Sequence, residues 1–348
     1  MHSKKLLGLF LALIFSVYSF AEPVELNPDH PQRHTVVKGD TLWDIAERFL
    51  RDPWLWPHIW KANPQIKNPH LIYPGDVISL TYNDKGEPVL TISRGKGRET
   101  VKLSPRIRER KLDRAIHTIP IDVIAPFMAG QLIVSEKELE SAAYFVSAAG
   151  ERLIIGANDN FYARSIKGGG KRFSIFRKGE TFMNPAPGKE EDILGYEAIH
   201  VGSANLVREG DPATLRITKS NREAQIGDRI LPTREEEYDS HFVPHAPDNQ
   251  VTGYILNVLD GVDQIGRYSI VAISLGSREG MELGHVLAVE QAGLTIDDQV
   301  SEKRGDTVTL PDERAGIVMI FRVFDRVSYA LVMKASNIIH VHDKVITP

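Results

Sequence analysis

The chain has 348 residues and not one cysteine. That absence excludes disulfide frameworks, thiolate metal centres, thiol nucleophiles and anchoring through a lipidated cysteine. Charge of one sign is also lacking. The 42 basic and 46 acidic residues leave a formal net charge of −4, so the whole molecule is not built electrostatically for nucleic acid. Long apolar runs are scarce as well. The longest, Leu6 to Val17, is about a dozen residues, short of the ~20 that a membrane-spanning helix needs. Lys4 and Lys5 precede it, and Ser19-Phe20-Ala21 follows with small residues at the −3 and −1 positions. This is the pattern of a secretory signal peptide over 1–21, with cleavage expected after Ala21 and export of the remainder.

What is present suits an α+β chain of short strands and frequent turns, with 27 glycines and 20 prolines. Residues 22–33 (EPVELNPDHPQR) are polar and proline-containing, and are expected to be disordered. Thr35-Val36-Val37 reads as a strand closed by Lys38-Gly39-Asp40. Asp40 is the expected N-cap of a helix whose apolar positions Leu42, Ile45, Ala46 and Phe49 follow helical spacing. Asp52-Pro53 starts a second helix, and Trp54-Leu55-Trp56-Pro57-His58-Ile59-Trp60 holds three of the four tryptophans. Asn63-Pro64 ends it, Tyr73-Pro74-Gly75-Asp76 is a turn, and Val77 to Leu80 is a second strand. The result is a compact βααβ unit over 34–80.

Those residues carry a resemblance. Val36-x-x-Gly39-Asp40-Thr41-Leu42-Trp43-Asp44-Ile45-Ala46, then Asn63-Pro64 and Ile72-x-Pro74-Gly75-Asp76-x-Ile78, are similar to the LysM domain, a module that binds N-acetylglucosamine-containing polymers such as peptidoglycan. The resemblance implies a shallow sugar groove between two loops. One is Gly39, Asp40, Thr41 and Leu42; the other is Leu71, Ile72, Tyr73 and Pro74. Exposed backbone groups and a Leu/Ile/Tyr surface would match the amide dipoles and apolar ring faces of N-acetyl sugars. The tryptophan-rich stretch 53–60 is bulkier than a minimal LysM; it either adds core or extends the groove.

Residues 81–130 read as a hairpin, turning at Asn83-Asp84-Lys85-Gly86, followed by a basic linker. Within it, 94–114 has nine Lys/Arg against three Asp/Glu, 9 − 3 = +6. That run is either a solvated linker or a contact for an acidic partner. Ser135 and Glu138 form a capping box for a helix over 136–142, with Val134 and Leu139 placed as a hydrophobic staple. The rest reads as strands, including FVSAAG, RLIIGA and FYARS. It falls into a first β-rich subdomain over 131–232, a connector over 233–250 and a second β-rich subdomain over 251–348. TLRITKSNREAQIGDRILP (214–232) and ALVMKASNIIHVHDKVITP (330–348) look like loose repeats, each preceded by a strand opening on glycine, at Gly195 and Gly316. Two small barrels or sandwiches are expected.

There is no His-Glu-x-x-His, and no histidine has an aspartate four residues later. His340 and His342 would share a strand face, which is more simply a surface feature than a metal site. Gly168-Gly169-Gly170-Lys171 lacks the remaining residues of a phosphate loop and reads as a hairpin turn. No catalytic residue, metal or cofactor is assigned. In the order signal peptide, tryptophan-rich LysM, VKLSPRIR (101–108) and β-rich C-terminal region, the chain resembles the TsaP family of secretin-associated LysM proteins of type IV pili. The C-terminal part of that family resembles the flagellar protein FlgT. The resemblance implies a non-enzymatic periplasmic protein that holds peptidoglycan and contacts an outer-membrane secretin ring. A LysM-targeted wall-remodelling enzyme and a general wall-bound protein unrelated to pili are the alternatives.

Overall fold

The structure is a computed structural model that describes residues 24–60, 71–94, 115–150, 154–166, 170–233, 242–259, 264–298, 300 and 306–348. Helices are few and strands dominate. No helix among the described residues is long and apolar enough to cross a membrane. The signal-peptide residues, Asn63-Pro64, the run 95–114 and Gly168-Gly169 lie outside the described residues.

The N-terminal unit comprises β1 (Arg33–Thr35), α1 (Leu42–Phe49), a 3₁₀ turn (Pro53–Leu55), α2 (Trp56–Trp60), β2 (Val77–Tyr82) and β3 (Pro88–Ser93). Its sheet runs β1-β2-β3, all antiparallel, with His34 opposite Ile78 and Leu80 opposite Leu90. The β2–β3 turn is the expected one: Asn83 Oδ1 accepts the Lys85 and Glu87 N–H groups. The first strand sits earlier than expected, at 33–35, although Val36 N–H still donates to Asp76 O. The N-cap of α1 is Thr41 rather than Asp40. Thr41 Oγ1 accepts Asp44 N–H at 3.1 Å while the Asp44 carboxylate accepts Thr41 N–H at 3.2 Å, a reciprocal capping box. Asp40 works one residue upstream, where its carboxylate accepts Val37 N–H and the His34 Nε2 proton. Residues 24–33 are not disordered. Leu26 bridges to Leu50, Asn27 N–H donates to Phe49 O, and Glu25 pairs with Arg51, so this stretch seals the end of α1.

Next come α3 (Ile121–Ala129), β4 (Gln131–Val134) and α4 (Glu136–Ser141), the last with the Ser135/Glu138 capping box. Residues 115–130 are therefore folded rather than linker. Then follow β5 (Ala143–Ala148), β6 (Asn160–Arg164), β7 (Arg172–Met183), β8 (Ile193–Arg208), β9 (Ala213–Ser220) and β10 (Arg229–Pro232). They form a sheet in the order β4-β8-β7-β10-β5-β6-β9. Strand β9 pairs again with the second half of β8, so six strands return on themselves, with β4 added outside.

The chain continues through β11 (Thr252–Val258), β12 (Ile270–Ile273), β13 (Val286–Gln291), β14 (Thr295–Asp297), β15 (Thr307–Thr309), β16 (Glu313–Val323), β17 (Ser328–Ala335) and β18 (Lys344–Ile346). Six of these close a barrel, β11-β12-β17-β16-β13-β18. Replacing β5, β6, β9, β8, β7 and β10 by β11, β12, β17, β16, β13 and β18 turns the first ring into the second. The hydrogen bonds correspond too. Phe145 N–H donates to Asp228 O and Gly227 N–H to Phe145 O, as Ile255 N–H does to Asp343 O and His342 N–H to Ile255 O. The glycine that matches Gly316 is Gly202, not Gly195. A Cβ on either would stand 2.4 Å from a backbone oxygen of the facing strand, Lys219 O or Lys334 O. Within RLIIGA, Arg152 and Leu153 lie outside the described residues, and among the described ones Ile155 forms an isolated bridge to Ala224, matched by Ile265 to Ile339.

Along β12 and most of β16 and β17, both faces of the second barrel are buried. Val271, Ile273, Val318, Ile320, Ala330 and Val332 fill its interior. The alternate residues Ile270, Ala272, Met319, Phe321, Tyr329 and Leu331 point outward into a cluster that also contains Trp43, Phe49, Trp56 and Trp60 of the N-terminal unit. The small unit is thus docked on the outer wall of the second barrel, and this explains the apolar runs IVAI and IVMIF, which do not alternate.

Candidate functional site

Residues Gly39 to Leu42 form the turn into α1, and Leu71 to Pro74 form the turn into β2. Gly39 has φ of +100° and Gly75 +95°, left-handed values that a residue with a Cβ rarely adopts, and both turns depend on them. Each turn is tied by an aspartate. Asp40 accepts Val37 N–H at 3.0 Å and Asp76 accepts Tyr73 N–H at 3.0 Å, while Gly75 N–H donates to Val36 O across the gap. The expected site residues separate into two sets. Gly39, Leu71 and Tyr73 are exposed and Asp40 and Pro74 half-buried, with Val37 exposed beside them. Thr41, Leu42 and Ile72 are buried.

Leu42 and Ile72 belong to the unit's apolar core, and Thr41 caps α1. Residues Ala115 to Ile119 lie across the gap between the two turns. Leu42 N–H donates to His117 O at 2.9 Å and Trp43 N–H to Thr118 O at 3.2 Å, while Ile116 N–H donates to Ile72 O at 2.9 Å. Leu42 and Trp43 are the first two residues of α1, whose N–H groups have no partner within the helix. Ile116, Thr118 and Ile119 are buried, and the His117 side chain points out. Asp76 and this segment were not among the residues assigned from sequence. Asp76 sat inside the recognised Pro-Gly-Asp turn; Ile116 to Ile119 carried no motif.

The tryptophans are core. Trp54, Trp56 and Trp60 are 3–5% exposed, and the Arg314 guanidinium of β16 lies 5.4 Å from the Trp54 ring centre. On the other side of the unit, Arg267 Nη2 donates to Asp44 at 2.6 Å and to Glu47 at 3.0 Å, and the Tyr268 hydroxyl donates to Asp44 at 2.9 Å. Burial, with Asp44 adding to it, pushes the Tyr268 hydroxyl up to about 12.

His340 and His342 do not share a strand face. They belong to the turn before β18, where His342 has φ of +74° and Asp343 accepts His340 N–H. A different group, His245, Glu282 and His285, brings its ligand atoms within 4.8 Å of one another. His245 Nδ1 donates to Val243 O at 2.9 Å, but His285 Nδ1 accepts Glu282 N–H at 3.1 Å. That bond places the proton of the neutral His285 ring on Nε2. Burial and the neighbouring His245 hold His285 below the usual histidine range, and the group fastens the 242–250 stretch to the barrel.

Comparison with known proteins agrees with the two-turn geometry. Residues 34–81 match the LysM domain family. Over 60 residues the chain is 40% identical to YqbP, an uncharacterised protein of Bacillus subtilis (strain 168). That match takes in 14% of this chain and 27% of the relative, so the chain spans about a quarter of that protein's length. LysM is a binding domain and not a catalytic one, and its match over 34–81 indicates peptidoglycan or carbohydrate binding by that segment.

Proposed function

We propose that this is a non-enzymatic, exported peptidoglycan-binding protein that works in the periplasm and holds the outer-membrane secretin ring of a type IV pilus to the cell wall. The observation that carries the wall-binding part is the LysM match over 34–81, with two glycine-aspartate turns framing one gap. Glycan contact is assigned to Gly39, Asp40, Thr41 and Leu42 on one side and Leu71, Ile72, Tyr73 and Pro74 on the other. Tyr73 and Leu71 supply the apolar surface for a sugar face, and the helix N–H groups supply donors for an acetamido carbonyl. The secretin partner is supported by the order of segments and by the tandem barrels, which offer a large surface beyond the glycan module. A single shallow groove binds weakly, and many copies round a ring would multiply retention through effective concentration.

The test is co-sedimentation with purified sacculi. Leu71→Asp and Tyr73→Ala are expected to lower pelleting at least fivefold while leaving the melting temperature within a degree or two, because both side chains are exposed. Unchanged pelleting would remove these turns from the glycan site. Co-purification with a secretin from solubilised outer membranes tests the partner, and its failure would leave a general wall-bound protein. A clearing band on a sacculus zymogram would replace the whole reading with an enzyme.

A further inference from the structure

We infer that residues Ala115 to Ile119 are an internal competitor for the glycan, so that the wall-binding groove opens only when this segment leaves it. The inference rests on the reading of the two turns as the glycan site. The segment uses the groups that an N-acetyl sugar would use. The carbonyls of His117 and Thr118 accept from Leu42 and Trp43 N–H, as an acetamido carbonyl would. The Ile116 N–H donates to Ile72 O, as an acetamido N–H would. One short peptide thereby spans both turns by backbone bonds to Leu42, Trp43 and Ile72, two of them among the eight residues expected to meet the sugar. A sugar and this peptide cannot hold the same three backbone groups at once.

The segment is also placed to report on the rest of the molecule. Its own Ile116 and Ile119, and directly after it Ile124 and Met128, enter the apolar cluster shared by the small unit and the second barrel, and Arg322 of β16 donates to Phe127 O at 2.8 Å. A partner that shifts α3 on the barrel wall pulls on the plug, which makes wall binding conditional on what the barrels hold. The groove's apparent affinity is then its intrinsic affinity reduced by the open fraction.

The experiment compares the whole exported chain with its Ile116→Pro variant, which removes the N–H donated to Ile72 and leaves every groove residue in place. Binding of an N-acetylglucosamine hexamer is measured by calorimetry, and residue-level amide exchange is followed on the unchanged chain. The expected result is that the sugar raises exchange at Ile116 while Leu42 and Trp43 stay protected, and that Ile116→Pro binds roughly three- to tenfold tighter. Should the variant misfold, exchange in the unchanged chain decides alone. Sugar binding with Ile116 still protected would overturn the plug and leave the glycan reading standing. No binding by either form, with both folded, would overturn the glycan reading of the groove and the plug with it.

Discussion

Tyr268 has φ of +69°, and its counterpart in the first barrel, Asn158, has φ of +73°. Asparagine visits this left-handed region readily, whereas tyrosine does so rarely. In the first barrel the turn is solvent-exposed; in the second it meets α1, where the Tyr268 hydroxyl and the Arg267 guanidinium reach Asp44. The strained residue therefore marks the barrel that receives the small unit. Exposure limits the ion pair. The Arg267–Asp44 side chains are 39% and 26% exposed, so the ion pair is worth about 0–1 kcal/mol. Arg267→Ala should therefore shift the melting temperature only slightly. Glycines give a sharper contrast at this scale. Gly316→Ala and Gly202→Ala each force a Cβ to 2.4 Å from backbone and should cost about 1–3 kcal/mol in denaturant unfolding. Gly266→Ala meets open space and should stay within about 0.5 kcal/mol.

Elements were legible in the sequence to different degrees. The α4 capping box and the Asn83–Gly86 turn lie where local chemistry put them, because both are decided within four residues. The α1 cap moved by one residue because Asp40 and Thr41 are both good caps, and the turn to β1 engages Asp40 first. Thr41→Ala should cost about 1 kcal/mol, read as a lowered urea midpoint. The strands β12, β16 and β17 show a tertiary demand already present in the sequence. Their apolar runs are continuous because one face fills the barrel and the other covers the small unit. Met319→Asp should therefore expose the unit to protease by placing a charge in that buried layer, although Met319 is outside the barrel's own core. If Met319→Asp leaves proteolysis unchanged, the docked arrangement is wrong.

At the scale of the molecule, the two barrels are clamped by Arg326, which donates to both oxygens of Asp192 at 2.7 and 2.6 Å and to Ile193 O at 3.0 Å. The Arg326 hydrogen bonds, helped by Asn184, pull the Asp192 carboxyl down to about 2. A lowered folded-state value means the stabilisation is complete above the ordinary carboxylate range near pH 4. It is lost as pH falls through about 2. Because Asp192 is partly exposed, the effect should be no more than about 1 kcal/mol. Asp192→Asn should melt lower than the unchanged chain at pH 6, and the two melting curves should converge as pH approaches 2. Docking also bears on how the protein is dissected. Removing 34–81 would bare Met319, Phe321 and Tyr329 on the barrel wall, so point changes at the exposed Leu71 and Tyr73 test the proposed wall binding with less disturbance to folding than truncation.

Short-range chemistry in the sequence determined the two Gly-Asp turns, the helix spacing of Leu42 to Phe49 and the capping boxes, and hence the likeness of 34–81 to LysM. Each depends on residues a few positions apart, whose φ preferences and side-chain reach are local properties. Tertiary structure alone decided that the tryptophans are core, that the small unit sits on the second barrel and that Ile116 to Thr118 bridge the two turns. Asp44 and Arg267 are 223 positions apart, and Leu42 meets His117 through backbone atoms that every residue possesses. Contacts of that kind leave no periodicity or motif, because they are fixed by which surfaces remain uncovered once the local elements have formed.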